Sequence, residues 1–224
     1  MTAVKHCFSF IFALLSSSLL AQDAGNSGPA YYYDTWRTDH NLPANDVRSI
    51  LQTRDGYVWL ATVKGLAQFD GARFRLYNSQ NTKPEIRRDL IGHLAEGMDS
   101  TLWIGIDGGG VVSYKNGRFS AENVPPEFRE KSVNRIFADS KGRIWVAFAE
   151  GLFIIDRGGF RKIEGINGSV NDLAEDQYGN MLVAAKSLQV VTAEGVKSVQ
   201  VQLGDNQTIA RIAEGIELNS PAGR

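Results

Sequence analysis

The sequence predicts an all-β fold, on the strength of three observations. The stretch 45–78 contains four short runs rich in aliphatic and aromatic residues, separated by turns such as Asp55-Gly56 and Asp70-Gly71. Pairs of this kind supply the positive φ that tight hairpin turns need. The pattern recurs three more times along the chain, and the glycine pairs inside each copy argue against helical repeats. A repeated unit of four strands predicts a β-propeller built from four-stranded antiparallel blades.

One residue in the second run of each copy sets the repeat period. It is Trp59, Trp103, Trp145 and then Leu182, with steps of 44, 42 and 37 residues. A propeller blade of four strands takes ~40 to 50 residues, so these steps fall in or near the expected range. Two further turn markers follow this residue at similar spacing in all four copies. The first is Gly65-Leu66, Gly110-Val111, Gly151-Leu152 and Ser187-Leu188. The second is Asp70-Gly71, Asn116-Gly117, Arg157-Gly158 and Glu194-Gly195.

These markers predict a propeller over 31–224. Its four blades are expected at 45–78, 89–122, 133–164 and 169–200, with a truncated fifth at 207–224. We expect an incomplete ring, in which two blade faces lack a neighbour to bury their apolar surface. Two explanations stay open: the chain is a fragment of a longer product, or a strand at Tyr31–Trp36 closes a smaller ring.

The first 21 residues have the character of a secretory signal peptide. Lys5 precedes a short apolar run from Phe8 to Leu15, and Ala21 offers a small residue for cleavage. An uncleaved membrane anchor is the alternative, but the run is shorter than the ~20 residues that span a bilayer. Residues 22–30 are predicted to be a flexible leader. Cys7 is the only cysteine and would leave with the signal, so the mature chain is expected to lack disulfides.

Charge and composition exclude some partners. The chain has 24 basic and 25 acidic residues and a net charge of -1, and 43% of its residues are hydrophobic. A nearly neutral chain with interspersed charges gives no electrostatic reason to expect nucleic acid or an anionic membrane surface. Contact with a membrane is expected only through C-terminal regions that this chain lacks.

The sequence predicts no catalytic residue, metal site or cofactor. Only His40 and His93 remain after signal removal, and two isolated histidines form neither a metal site nor a proton relay. The three tryptophans occupy equivalent positions between apolar neighbours, which favours packing between blades over a sugar-stacking surface. The glycine run at Asp107–Gly110 is predicted to be a hairpin turn, because it lacks the strand-to-helix context of a phosphate-binding loop.

Ligand contacts, if present, are expected in the variable loops at one end of the ring, which are Arg37–Asp46, Ser79–Arg88 and Asn123–Lys131. Arg87, Arg88 and Arg129 could bind an acidic sugar or could equally be solvated loop charges. No ligand-binding residue is assigned from the sequence.

The first copy resembles a known repeat. Its Trp36, Leu42-Pro43, Asn45 and Val47, followed by Asp55-Gly56-Tyr57-Val58-Trp59-Leu60-Ala61-Thr62 and Gly65-Leu66, resemble the two-component regulator propeller repeat. The later copies look like weaker versions, and the resemblance covers about 31–200. It implies the periplasmic sensing part of a membrane receptor whose output domain is a histidine kinase or a diguanylate cyclase. Some family members resemble sensors of oligosaccharides.

These observations lead us to expect an exported, periplasmic, non-enzymatic sensory or ligand-binding propeller. Its expected partners are an oligosaccharide or other small molecule, and further blades or another chain at the open edges. Two alternatives remain: a propeller enzyme similar to the streptogramin lyases, and a structural module that pairs its open edges with another chain.

Overall fold

A computed structural model describes residues 34–199, except 123 and 158, and from Trp36 onward these residues belong to one compact unit. Within this part, four sheets each contain four antiparallel strands in sequence order. The strands are β1 Val47–Gln52, β2 Val58–Thr62, β3 Gly65–Phe69, β4 Phe74–Tyr77, β5 Ile91–Glu96, β6 Leu102–Ile106, β7 Gly110–Lys115, β8 Arg118–Ser120, β9 Arg135–Ala138, β10 Ile144–Phe148, β11 Gly151–Asp156, β12 Gly159–Asn167, β13 Asp172–Glu175, β14 Met181–Ala184, β15 Leu188–Thr192 and β16 Gly195–Ser198.

The four sheets are the blades of a propeller. The first strands of successive blades, β1, β5, β9 and β13, contact one another and therefore lie innermost. Two short 3₁₀ helices, Thr38–His40 and Pro126–Phe128, lie in loops that lead into blades one and three. The prediction of an all-β propeller with four-stranded antiparallel blades is confirmed.

Turn chemistry differs in detail from the prediction. Asp55-Gly56 was expected to form a two-residue hairpin, but it lies inside a longer turn, in which the N–H of Thr53 bonds to the carbonyl of Tyr57 at 2.9 Å. The two-residue connection is the next one along, between Thr62 and Gly65, where Gly65 has φ +127°. A side chain on Gly65 would place its Cβ 2.5 Å from the carbonyl oxygen of Tyr77, so glycine is needed there.

The core consists of apolar layers between neighbouring blades. Trp59 lies in the layer between blades one and two, Trp103 between blades two and three, and Trp145 between blades three and four. All three are buried, with exposed fractions of 2, 7 and 1%. The prediction that they pack between blades is confirmed. Leu182, the fourth member, is also fully buried.

Trp36, the first residue of the compact unit, covers part of the other face of blade one. Asp34–Trp36 are not in a strand, contrary to the strand predicted at Tyr31–Trp36, whose first three residues lie outside the described part. The Trp36 ring instead packs edge-on against Phe69 at 4.9 Å and Phe74 at 5.5 Å. The predicted signal peptide, leader and fifth blade also lie outside the described residues.

Candidate functional site: a groove between blades two and three

In two blades, a side chain in the first turn accepts a hydrogen bond from the N–H of the buried indole, and we call this contact the indole cap. In blade one, Nε1 of Trp59 donates to Oγ1 of Thr53 at 3.2 Å. In blade three, Nε1 of Trp145 donates to Oδ2 of Asp139 at 2.8 Å. Thr53 and Asp139 both stand six residues before their tryptophan, at the start of the turn between the first two strands of the blade. A buried indole N–H normally finds such a partner.

Blade two lacks this cap because the equivalent residue is Gly97. Nε1 of Trp103 has no hydrogen-bond acceptor within the described residues, and the atom is not sealed from solvent. An added Cβ on Gly97 would lie 3.4 Å from that nitrogen. The donor of Trp103 therefore faces open space where its two counterparts face a side chain.

A second repeated contact ties neighbouring blades together. Glu96, at the end of β5, accepts the backbone N–H of Arg54 from the first turn of blade one, at 3.2 Å. Glu175, at the end of β13, accepts both the backbone N–H and the hydroxyl of Ser140 from blade three, at 2.8 and 2.6 Å. We call these contacts the carboxylate clamps.

The junction of blades two and three has no carboxylate clamp. Ala138 occupies the position of the clamping glutamate, and Met98 occupies the position of the turn residue it would hold. Met98 is 65% exposed and lies against Gly142, where an added Cβ would be 2.9 Å from its sulfur. The indole cap and the carboxylate clamp are thus both missing at the same junction.

A groove of about 1290 Å³ opens at this junction. Its apolar wall includes Trp103, Val124, Ile144, Ile155 and Phe160, all from the layer between blades two and three. At one end it is bounded by the turns around 97–99, 141–143 and 156–159, and at the other by the 124–129 segment that connects the two blades. The outermost strand of blade two, β8, has only three residues, and β12 of blade three is exposed along most of its length.

The rim of the groove carries several charged side chains, whose partners differ. Asp99 pairs with Lys115 at 2.5 Å. Burial alone would raise the pKa of Asp99, but the hydrogen bonds from Lys115 and Thr101 outweigh burial and lower it. Arg143 pairs with the buried carboxylate of Asp139 at 2.5 Å. Each of these four charged groups therefore has an oppositely charged partner within the protein.

Three other basic side chains on the rim are not neutralised in this way. Lys141 donates to the carbonyl of Gly179 at 3.1 Å, and Nε of Arg129 donates to the carbonyl of Val124 at 3.2 Å. Neither these two nor Arg157 has a carboxylate partner within the described residues. The rim therefore carries basic side chains that no carboxylate in the described part of the chain neutralises, with Nζ of Lys141 held against Gly179 of blade four.

The loops singled out from the sequence gather at one end of the blades. Each precedes the first strand of a blade, and in an antiparallel meander these entry points share one end. Arg87 pairs with Glu130 at 3.4 Å, and Arg87 also lines a cavity of about 200 Å³ together with Pro84 and Arg129. Arg129 lines both this cavity and the groove, so the third loop is the one that reaches the larger site.

The glycine run after β6 forms a turn that packs against the third loop. The N–H of Gly110 donates to the carbonyl of Lys131 at 2.9 Å, and the N–H of Gly108 donates to Oγ of Ser132 at 3.0 Å. Ser132 also donates to Asp107. These backbone donors are already used within the protein, as expected of a structural turn.

His93 lies on the innermost strand of blade two, opposite Gly105 of β6. Arg135 and Asp172 hold the equivalent positions in blades three and four, opposite Ala147 and Ala184. Nε of Arg135 is 3.0 Å from Oδ1 of Asp172, but the angle is too poor for a hydrogen bond. Burial lowers the pKa of His93, the positive charge of Arg135 lowers it further, and Asp172 opposes both.

The other histidine lies elsewhere. His40 is exposed on the first 3₁₀ helix, 3.6 Å from the carboxylate of its neighbour Asp39. In the part of the chain that the structure describes, no three His, Cys, Asp or Glu side chains come together as a metal site. No helix there is long and apolar enough to cross a membrane.

Sequence reasoning did not find the groove. It is marked by residues that depart from the repeat, Gly97, Met98 and Ala138, and not by residues with recognisable chemistry. Aligning the four copies shows these departures, but their meaning depends on the contacts that Thr53 and Glu96 make elsewhere in the structure.

Residues 41–64, from the loop before β1 to the turn after β2, match the family model described as the two component regulator propeller. Blade one thus matches the regulator propeller repeat over these residues. The resemblance predicted from Trp36 to Leu66 is thereby confirmed for this copy. A search of curated proteins finds no match to the sequence.

Solved structures resemble the β-propeller fold of this chain. Two are extracellular domains assigned to hybrid two component systems of B. thetaiotaomicron. The first has a TM-score of 0.58 and 18% identity, and the match covers 74% of this chain and 23% of that chain. The second has a TM-score of 0.58 and 21% identity, and the match covers 69% of this chain and 22% of that chain. Virginiamycin B lyase from Staphylococcus aureus has a TM-score of 0.57 and 11% identity over 70% of this chain and 56% of that chain. The chain spans about a quarter of the two-component domains, and identities this low show the fold alone.

Proposed function

We propose that the chain is the sensory, ligand-binding propeller part of an exported two-component-type receptor. The observation that carries this proposal is the regulator propeller repeat over residues 41–64. The likeness to extracellular domains of hybrid two component systems agrees with it. The lyase shares the fold only, so it gives no comparable support for an enzymatic role.

An exported, periplasmic location follows from the same argument and from the predicted signal peptide. The similar solved structures include extracellular domains of hybrid two component systems, which agrees with a location outside the cytoplasm. A reporter enzyme that is active only outside the cytoplasm, fused after Arg224, should be active when residues 1–21 are present and inactive when they are deleted. Activity without residues 1–21 would contradict the signal peptide.

Ligand binding on this fold is supported by the groove between blades two and three. Pockets for small molecules typically combine an apolar wall with a few polar groups, at volumes of roughly 300 to 1,000 Å³. The groove has this composition and more than enough room. Terminal blades can also pair with further blades or another chain, which would make the chain one section of a larger sensing surface.

Thermal unfolding in the presence of a panel of neutral and acidic oligosaccharides tests the binding role. A ligand at 100 times its Kd stabilises the native state by about 2.7 kcal/mol, so a binder should raise the Tm in a saturable way. Mass spectrometry of the recovered sugar should show no change. Conversion of the sugar would instead favour the enzyme alternative, and the absence of any stabilising sugar would contradict an oligosaccharide sensor.

A further inference from the structure

Trp103 is the one repeat tryptophan whose hydrogen-bond donor is unused in the described structure. Trp103 is 7% exposed and lines the groove, and its Nε1 is not sealed from solvent. The same indole N–H donates to Thr53 in the case of Trp59 and to Asp139 in the case of Trp145. A polar group held at the edge of a buried ring without a protein partner is a natural hydrogen-bond donor for a bound molecule.

The balance of unpaired charges along the groove rim favours an anion. The carboxylates of Asp99 and Asp156 are paired with Lys115 and Arg161, at 2.5 and 3.1 Å. Among the groove residues, this leaves Glu122 as the acid without a basic partner within the described residues. Against it stand three bases without a carboxylate partner, Lys141, Arg129 and Arg157. The balance of unpaired charge at the rim is positive.

The wall of the groove favours a molecule with an apolar ring face. Ile144, Ile155 and Val124 are at least nine-tenths buried in the layer between the blades and present their remaining surface to the groove. Phe160 adds an aromatic surface beside them. Such a wall packs against a flat ring and leaves the ring's polar substituents to the rim.

Gly97 keeps the donor of Trp103 free. In blade one, the hydroxyl of Thr53 accepts from Trp59 and donates to Asp55 at 2.6 Å. Asp99 stands two residues after Gly97, as Asp55 does after Thr53. A threonine at 97 therefore has both partners available, although its Cβ would start 3.0 Å from Oδ1 of Asp99 and would need a small adjustment there.

Resting on the ligand-binding role proposed above, we propose that this groove binds a carboxylate carried on a ring, with Trp103 Nε1 donating a hydrogen bond to it. Two sources share that chemistry: a uronic acid residue of an acidic sugar and an aromatic acid. Arg157 and Lys141, at the same end of the groove as the 97–99 turn, and Arg129, at the other end, supply the positive charge that attracts the carboxylate. Gly97 is the residue that determines whether the site exists.

Indole N–H signals in an NMR titration of the full chain test the proposal. The chain has four tryptophans, and Trp103→Phe identifies the signal of Trp103. The probes are digalacturonate, the uncharged digalactose and phenylacetate. Digalacturonate or phenylacetate should shift the Trp103 signal in a saturable way, and whichever does so identifies the source. Digalactose should bind at least about tenfold more weakly than digalacturonate.

Gly97→Thr is the decisive variant. It should weaken binding of the active probe by about tenfold or more while the other indole signals stay in place, which shows that the fold is intact. The double variant Lys141→Gln with Arg157→Gln provides a second measurement, and it should remove the preference for digalacturonate over digalactose.

Three results would overturn the proposal: unchanged affinity in Gly97→Thr, a shift confined to another indole, or no shift of Trp103 by either acid at about 10 mM. The broader sensory role fails separately. A sugar that raises the Tm equally in wild type and Gly97→Thr would preserve that role and place binding elsewhere.

Discussion

Replacing Asp139 by Ala should destabilise the protein by about 3 to 5 kcal/mol, because one buried carboxylate serves four donors. Asp139 is 4% exposed. Its two oxygens accept hydrogen bonds from the backbone N–H groups of Lys141 at 3.0 Å and Arg143 at 2.8 Å. They also accept from two side chains, Nε1 of Trp145 at 2.8 Å and Nε of Arg143 at 2.5 Å. Removing one partner of a buried charged pair typically costs 3 to 5 kcal/mol, since the other charge and its neighbours are left unpaired.

Asp176→Ala is the matched control. Asp176 accepts the same two turn N–H groups, from Tyr178 at 2.9 Å and Asn180 at 2.8 Å, but its remaining contact is the neutral amide of Asn180. Leu182 stands where Trp145 stands, so no indole depends on it. Losing these hydrogen bonds, in which the acceptor is charged but every donor is neutral, should cost about 1.5 to 3 kcal/mol.

Urea unfolding of the wild type and both variants measures the difference. The free energy of unfolding should fall by about 2 kcal/mol more for Asp139→Ala than for Asp176→Ala. Equal losses in the two variants would refute the argument, because they would show that the indole and the guanidinium gain nothing from the carboxylate.

The same carboxylate should make stability depend on acidity. Burial alone would raise the pKa of Asp139, but hydrogen bonds from Trp145 and Arg143 hold it below the ordinary value of 3.8. The unfolded chain therefore takes up the proton first, and the stabilisation, present above about pH 3.8, is lost as the pH falls through the lower folded pKa. Asp139→Asn should remove this part of the acid dependence in unfolding curves measured from pH 5 downward.

Three further outcomes are expected. For His93, whose folded pKa lies below 6.5 mainly through burial, stability should fall as the pH drops from about 7 to 5, and His93→Gln should flatten that slope in urea unfolding; an unchanged slope would show that His93 is not its source. Glu175→Ala should cost about 1 to 2 kcal/mol by removing the carboxylate clamp on Ser140, whereas Ala138→Ser, at the junction without a clamp, should be nearly neutral. Gly110→Ala should cost at least about 2 kcal/mol, since φ is +71° and the new Cβ would lie 2.5 Å from the carbonyl oxygen of Phe128; a smaller loss would mean that this loop yields easily.

Much of the fold could be predicted because the residues that mark the repeat act mainly through their own backbone conformation or their own burial. Glycines such as Gly65 and Gly151 mark positions with positive φ, and the tryptophans mark the layer between blades. Apolar runs between these markers leave few alternatives to strands. Repetition then makes each assignment support the others, which is why the blade order was accessible without coordinates.

The groove could not be predicted for the opposite reason. It results from three small or uncharged residues, Gly97, Met98 and Ala138, at positions where other blades place a cap or a clamp. A glycine in a turn is unremarkable by itself, and hydrogen bonds between blades join residues more than 30 positions apart, such as Ser140 and Glu175. The sequence pointed instead to the long loops, of which only the third reaches the groove.

The uneven distribution of the carboxylate clamps also bears on how the array moves. In a linear stack of similar units, stability is roughly the sum of each unit and its joints with the next, so thermal opening concentrates at the weakest joint. Blades one and two are clamped, as are blades three and four, and the joint between these pairs is not. That joint is held instead by its apolar layer and by the hydrogen bonds from Gly108 and Gly110 to Ser132 and Lys131, and a molecule bound in the groove would add a further contact between the two pairs of blades.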